Sequence, residues 1–195
     1  MIKFIDVIKS RRREYRIDEK ATFVFFLYNY SGRLRIKIQA AGARVYIFSI
    51  FIGRGKDLFR LQVLQQHLSP QTFSEALVKG VFYDEAKLIY EGLIKIEKSA
   101  QGSHAYQKNQ NLLMSKRGFV ESRPSLEILA NDVFCTHGST TGRLNSDQLF
   151  YLRSRGLTKP QAQNLLIKGF LKEVFEKIEN LGHFPELEKY QDRLN

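Results

Sequence analysis

The chain has 195 residues, 43% apolar and 26% charged, enough for its own core, and its longest apolar runs, Phe23–Tyr28 and Val45–Ile52, are far short of the roughly 20 residues that cross a bilayer. Met1–Ile8 is interrupted by Lys3 and Asp6 and precedes Arg11-Arg12-Arg13, the reverse of a signal peptide, and the single cysteine, Cys135, leaves no internal disulfide and fits a reducing cytoplasm. The net charge of +11 is concentrated: residues 1–60 hold 14 Lys/Arg against 5 Asp/Glu, with no Gly-rich phosphate loop and no aromatic-basic RNA signature, so this third reads as a solvated basic face or as a contact for an anionic partner.

Met1–Ile8 reads as a short strand or a helical turn, and Ser10–Arg16 as an exposed basic run. Thr22–Tyr30, rich in aromatic and β-branched residues, predicts a strand, and Ser31-Gly32 a turn. Leu34, Ile36 and Ile38 alternate with Arg33, Arg35 and Lys37, a half-buried strand with a basic outer face. Val45–Ile52 is almost wholly apolar and predicts a strand covered on both faces. Gly53-Arg54-Gly55 is a turn with no helix after it to bind a dinucleotide, and Leu58–His67 alternates again.

Ala76–Phe82, Ala86–Tyr90 and Leu93–Ile96 read as short strands separated by Gly80, Asp84-Glu85 and Gly92. Ala105–Met114 is ambiguous, with Asn109 and Asn111 as an asparagine stack or turn. Leu126–Ala130 and Val133–His137 close the series. Many short strands with no intervening helix predict a sandwich, a barrel or a β-helix, and periodicity does not choose among them. After Gly142 the pattern turns helical. Asn145 or Ser146 caps a helix to about Arg155, in which Leu149, Phe150, Leu152 and Tyr151 pack inward. Thr158-Lys159-Pro160-Gln161 opens a second as a capping box, with Ala162, Leu165, Leu166, Gly169, Phe170, Val174 and Ile178 on its apolar face and Lys168, Lys172, Glu173 and Lys177 outside.

Cys135 and His137 share one face of a strand, roughly 6.5–7 Å apart along the backbone. A thiol beside an imidazole suits metal binding, nucleophilic chemistry, an interface or simple packing. No orienting acid stands in a recognisable motif, and His67, His104 and His183 show no ligand spacing with Cys135.

The residues from about 105 onward resemble the SufB/SufD family of the SUF iron–sulfur cluster assembly system. The likeness lies in Gln107–Ser115 (a Gln/Asn-Leu-Leu segment), Pro124-Ser125-Leu126-Glu127-Ile128, Asp132-Val133-Phe134-Cys135-Thr136-His137-Gly138, and Leu149-Phe150-Tyr151-Leu152-Arg153-Ser154-Arg155-Gly156. The His137-Gly138 pair is more like SufD than SufB, and the chain reads as a compact, N-terminally short member. The resemblance implies a right-handed parallel β-helix over residues 1–144 and a small C-terminal α-helical region over 145–195. It implies a non-catalytic scaffold for a transient iron–sulfur cluster, with Cys135 and His137 at a dimer interface shared with a SufB-like paralogue or a second copy. It implies a SufC-like ATPase partner, contacted through Phe150, Tyr151, Arg153 and Arg155. The chain has no Gly-x-x-x-x-Gly-Lys-Ser/Thr loop for ATP, and neither membrane nor nucleic acid is expected as a partner. The alternative is a β-helical interaction protein without a cluster role that binds an anionic partner, such as nucleic acid, through its basic N-terminal third.

Overall fold

The computed structural model describes residues 1–193. In chain order it contains β1 (Ile2–Asp6), α1 (Val7–Ser10), β2 (Glu14–Ile17), β3 (Thr22–Tyr28), β4 (Gly32–Ile38), β5 (Arg44–Gly53), β6 (Leu58–His67), β7 (Phe73–Phe82), β8 (Lys87–Ile96), β9 (Ser103–Leu113), β10 (Phe119–Ile128) and β11 (Val133–Gly142). Helices α2 (Ser146–Ser154) and α3 (Lys159–Glu179) follow, then a 3-10 turn at Pro185–Leu187 and α4 (Glu188–Asp192).

Each strand is hydrogen-bonded to the strand two further along the chain. The odd strands form one sheet, β1-β3-β5-β7-β9-β11, and the even strands another, β10-β8-β6-β4-β2, with every pairing parallel. The chain is therefore a parallel β-helix of about four turns. Corners repeat from coil to coil: the Gly55 N–H donates to the Asp84 carboxylate 29 residues on at 2.8 Å. At the other corner Gly42, Gln71 and Gly102 occupy the same left-handed position, with φ of 70°, 57° and 67°. Each donates its N–H to the next coil, to Pro70, Gln101 and Asp132. Only two of the three are glycine, so no sequence repeat marks the corner.

The strand interiors follow the alternation. Phe23, Phe25, Leu34, Ile36, Ile38, Val45, Ile47, Phe59, Leu61 and Val63 point between the sheets and form the main core. Val24, Phe26, Tyr46, Phe48, Ile50, Leu77 and Val81 point out of the odd sheet and are covered by Ile167, Leu171, Val174, Phe175 and Ile178 of α3. Helix α3 is thus what makes β5 apolar on both faces. Its Thr158–Gln161 capping box is formed, and Asn145 caps α2.

Four expectations are corrected. The basic run Ser10–Arg16 hides β2, because Tyr15 and Ile17 alone turn inward while Glu14 and Arg16 face out. Gly80 and Gly92 do not break strands; they lie inside β7 and β8. A Cβ at Gly92 would collide with the Gln107 side chain, and one at Gly80 would collide with the Phe82 ring and meet the Asn111 Oδ1 at 2.8 Å, so both glycines make room for interior side chains. The apolar face of α3 is rotated: Leu165 is half exposed, while Ile167, Leu171 and Phe175 are buried, and Glu173 and Lys177 reach down to the sheet instead of outward. In α2, Leu149 and Leu152 are half-buried but Phe150 and Tyr151 are exposed, because no sheet lies beneath them.

Gly92→Ala is expected to destabilise by about 1–3 kcal/mol in urea unfolding, with most of the loss recovered in the Gly92→Ala/Gln107→Ala double variant. Additive losses would contradict the close approach of the two positions.

Candidate functional site

Among the described residues β11 is the last strand of the odd sheet and pairs only with β9, and β10 is the last of the even sheet and pairs only with β8. The final coil therefore ends in two edge strands of 10 residues each. Pro124 in β10, which lacks an N–H, suits a strand with a single neighbour. The register sets Cys135 beside Ala105 and His137 beside Gln107. Ala105 is buried inside the coil, so Cys135 faces the interior, packed with Ile94, Ile96, Ala100, Ala130 and Leu126. The thiol is half-buried, and burial pushes its pKa up to about 11. At neutral pH it is protonated, hence a weak nucleophile. His137 stands on the same strand face two residues on, exposed, with no side-chain hydrogen bond or ion pair among the described residues.

The surround is apolar and open. Phe119, Ile128, Leu129 and Phe134 on or beside the last coil are 50%, 40%, 50% and 62% exposed. Phe134 stacks on His104, with ring centroids 5.0 Å apart. An apolar rim on two bare edges is unusual, since natural sheets blunt exposed edges with charge or cover.

Sequence reasoning missed the character of the interior next to this edge. Gln107, Asn109 and Asn111 alternate along β9 and point inward, buried, with the Asn111 amide donating to Asn109. The Gln107 Nε2 donates to the Gly92 carbonyl at 3.3 Å, while the Gln107 Oε1, Asn109 Nδ2 and Asn111 Oδ1, with Gln65, Tyr90 and Ser49, have no hydrogen-bond partner among the described residues. Near its end the coil interior is thus amide-lined along β9, beside the apolar cluster around Cys135. The signal was present as period-two polar residues in β9; it was obscured because polar alternation normally marks the outer face.

His104 stands beside Phe134 on the opposite strand face from Cys135. His67 is in the core between Thr72 and Ser74. Among the described residues no three His, Cys, Asp or Glu side chains gather around a point, so one chain offers Cys135 and His137 as a pair and not as a complete metal site. Phe150 and Tyr151 are 74% and 56% exposed on α2, with the Arg155 guanidinium over the Tyr151 ring at 5.3 Å; Arg153 is exposed too. Phe150, Tyr151 and Arg153 lie on α2 and Arg155 is its C-cap, and α2 packs against α3. Among the described residues no helix is long and apolar enough to cross a membrane.

The family model for the SufBD core domain of SUF system FeS cluster assembly matches residues 6–170. The chain is 39% identical over 109 residues to the iron-sulfur cluster assembly protein SufD of Escherichia coli (strain K12), covering 56% of this chain and 26% of that one. It is 36% identical over 184 residues to the chloroplastic protein ABCI7 of Arabidopsis thaliana, covering 92% and 37%, and 33% identical over 132 residues to SufD of Bacillus subtilis (strain 168), covering 67% and 30%. The chain thus spans between about a quarter and two fifths of the length of these relatives. Matched by the family model across most of its length and built as a parallel coil, the chain belongs to the SufB/SufD family of the SUF iron–sulfur cluster assembly system, closer to SufD.

Proposed function

We propose that this chain is a non-catalytic core subunit of a SUF-type iron–sulfur cluster assembly complex, in which Cys135 and His137 supply part of the ligand set for a nascent cluster and a second chain supplies the rest. The observation that carries the reading is the last coil. Two ten-residue edge strands, rimmed by exposed Phe119, Ile128, Leu129 and Phe134, form a surface that invites another chain, and the chain's one thiol lies half-buried on one of them. The family points to a SufB-like paralogue or a second copy as that chain. A thiolate and a neutral imidazole suit iron, and two donors are too few for a cluster, which here is cargo. Because burial raises the Cys135 pKa, capture of iron would release its proton. Residues 1–144 would form the cluster-bearing body, and 145–195 would face a SufC-like ATPase through Phe150, Tyr151, Arg153 and Arg155, exposed aromatic and arginine side chains of the kind that anchor interfaces. A reducing compartment such as the cytoplasm would keep the single cysteine free.

The test is anaerobic reconstitution with ferrous iron and sulfide, in the presence of SufB-like and SufC-like partners, followed by visible absorbance. Cys135→Ala and His137→Ala are each expected to lower cluster yield by about tenfold with unchanged folding, and Phe134→Lys to separate the two chains on size exclusion. Full cluster yield in both ligand variants, or none in the wild type with any partner, would refute the reading.

A further inference from the structure

The outer face of the even sheet is the broad surface that α3 leaves uncovered. The registers place Arg33, Gln62, Glu91 and Arg123 side by side across β4, β6, β8 and β10. The Arg33 Nε donates to the Gln62 Oε1 at 2.7 Å, the Gln62 Nε2 donates to Glu91 at 2.6 Å, and Arg123 lies 3.6 Å from Glu91 and is bonded to Glu121. This row is a fixed floor. Beside it runs a second row, Arg35, Leu64, Leu93 and Ser125, in the same register. The two rows line adjoining grooves of about 700 and 490 Å³, and Arg13 and Arg60 also line the larger one.

The charges do not cancel within the chain. Glu91 is engaged by Gln62 and Arg123, and Glu14 by Lys37 at 2.8 Å, so both groove carboxylates have partners. Arg13, Arg35 and Arg60 have no ion pair and no side-chain hydrogen bond among the described residues, and they converge on one groove with the half-buried apolar side chains of Leu64, Ile89 and Leu93 nearby. A guanidinium offers a planar fork of donors that fits a carboxylate in a bidentate pair.

We propose that this groove docks an extended acidic segment of a partner protein, its carboxylates on Arg13, Arg35 and Arg60 and its apolar side chains on Leu64, Ile89 and Leu93. Four strands at about 4.8 Å spacing give a path that four or five extended residues cover. A nucleic acid fits less well. A continuous phosphate backbone would run over Glu14 and Glu91, and no aromatic side chain lines the groove to stack a base. A peptide carries separate carboxylates and can skip those positions. The inference is independent of the cluster reading, since it uses none of the same residues.

The test uses the full chain and a fluorescein-labelled peptide of about ten residues that alternates glutamate with leucine, read by anisotropy. A lysine–leucine peptide of the same length and a single-stranded RNA of similar length serve as the other probes. The glutamate peptide is expected to bind. Arg35→Glu/Arg60→Glu is expected to weaken it by at least about tenfold with an unchanged melting curve, and the milder Arg13→Gln/Arg60→Gln pair to weaken it measurably. Leu64→Ser/Leu93→Ser is expected to weaken it as well, which a purely electrostatic attraction would not do. No binding of the glutamate peptide, equal binding of the lysine peptide, tighter binding of the RNA, or unchanged affinity in the arginine variants would each overturn the proposal. Cluster yield in the reconstitution above is expected to be the same for the arginine variants and the wild type.

Discussion

Glu173→Ala is expected to destabilise the protein by about 3–5 kcal/mol, more than Lys79→Met does. Lys79 projects from the outer face of β7 and is 2% exposed, covered by α3. Its ammonium donates to the Phe170 carbonyl at 2.7 Å and to the Glu173 carboxylate, and lies 4.2 Å from the Phe170 ring centroid. Removing Glu173 strands a buried cation, which cannot rehydrate without lifting the helix. Removing Lys79 leaves a carboxylate that is 39% exposed and regains water, so the loss should be about 1–2 kcal/mol. The Lys79→Met/Glu173→Ala double variant should recover most of the Glu173→Ala loss. At roughly 2–4 °C per kcal/mol for a chain of this size, Glu173→Ala should lower Tm by on the order of 10 °C.

The pH sign follows from the pair. Burial raises the Glu173 pKa, but the hydrogen bond and charge of Lys79, with Lys108 and Lys177 behind them, outweigh it and hold the carboxyl below its ordinary value. The latch is therefore complete above the ordinary carboxylate range and weakens as pH falls through the lowered Glu173 value. Neighbouring Lys177 and Glu75 pair at 2.6 Å in a more solvated setting, so Lys177→Ala should cost under about 1 kcal/mol. Urea midpoints for the four variants check the order; a Lys79→Met loss exceeding that of Glu173→Ala would show that the ammonium is not the vulnerable partner.

His67 carries the second large effect. It is fully buried, its Nδ1 2.7 Å from the Thr72 hydroxyl and its Nε2 2.8 Å from the Ser74 hydroxyl, and burial lowers its pKa to about 4. An unfolded histidine titrates near 6.5. The folded state thus holds fewer protons between these values, and the stabilisation, present in full above about pH 6.5, is lost as pH falls through 4. The difference amounts to roughly 3 kcal/mol. Urea unfolding across that range should show this decline in the wild type and a flatter profile in His67→Asn, which also starts lower because the hydroxyl pair loses its fit. Equal slopes in the two proteins would place the acid sensitivity elsewhere.

Much of the coil was legible residue by residue. Alternation in β4 and β6 identified their inner faces, and the double-sided apolarity of β5 announced a cover that proved to be α3. The capping chemistry at Asn145 and Thr158 located both main helices. Cys135 and His137 could be placed on one strand face, and their family context was readable from the segments around them. The glycines in β7 and β8 misled because a glycine that clears space for a neighbouring coil looks the same, in one dimension, as a glycine that ends a strand. β2 escaped because two inward residues in a run of arginines carry too little periodicity.

By itself, then, the sequence determined which residues alternate, where helices begin, and that a single thiol sits beside an imidazole on a strand. These are local properties, set by backbone period and by hydrogen-bond groups within a few residues of one another. Only the tertiary structure decided which strands are neighbours, because parallel partners in a coil lie about 30 residues apart and a period of two reports burial without naming a partner. That same stacking turned Gln107, Asn109 and Asn111 inward and aligned Arg33, Arg35 and Arg60 on one face. It also brought Lys79 under Glu173, 94 residues away, and left the Cys135 strand as an open edge.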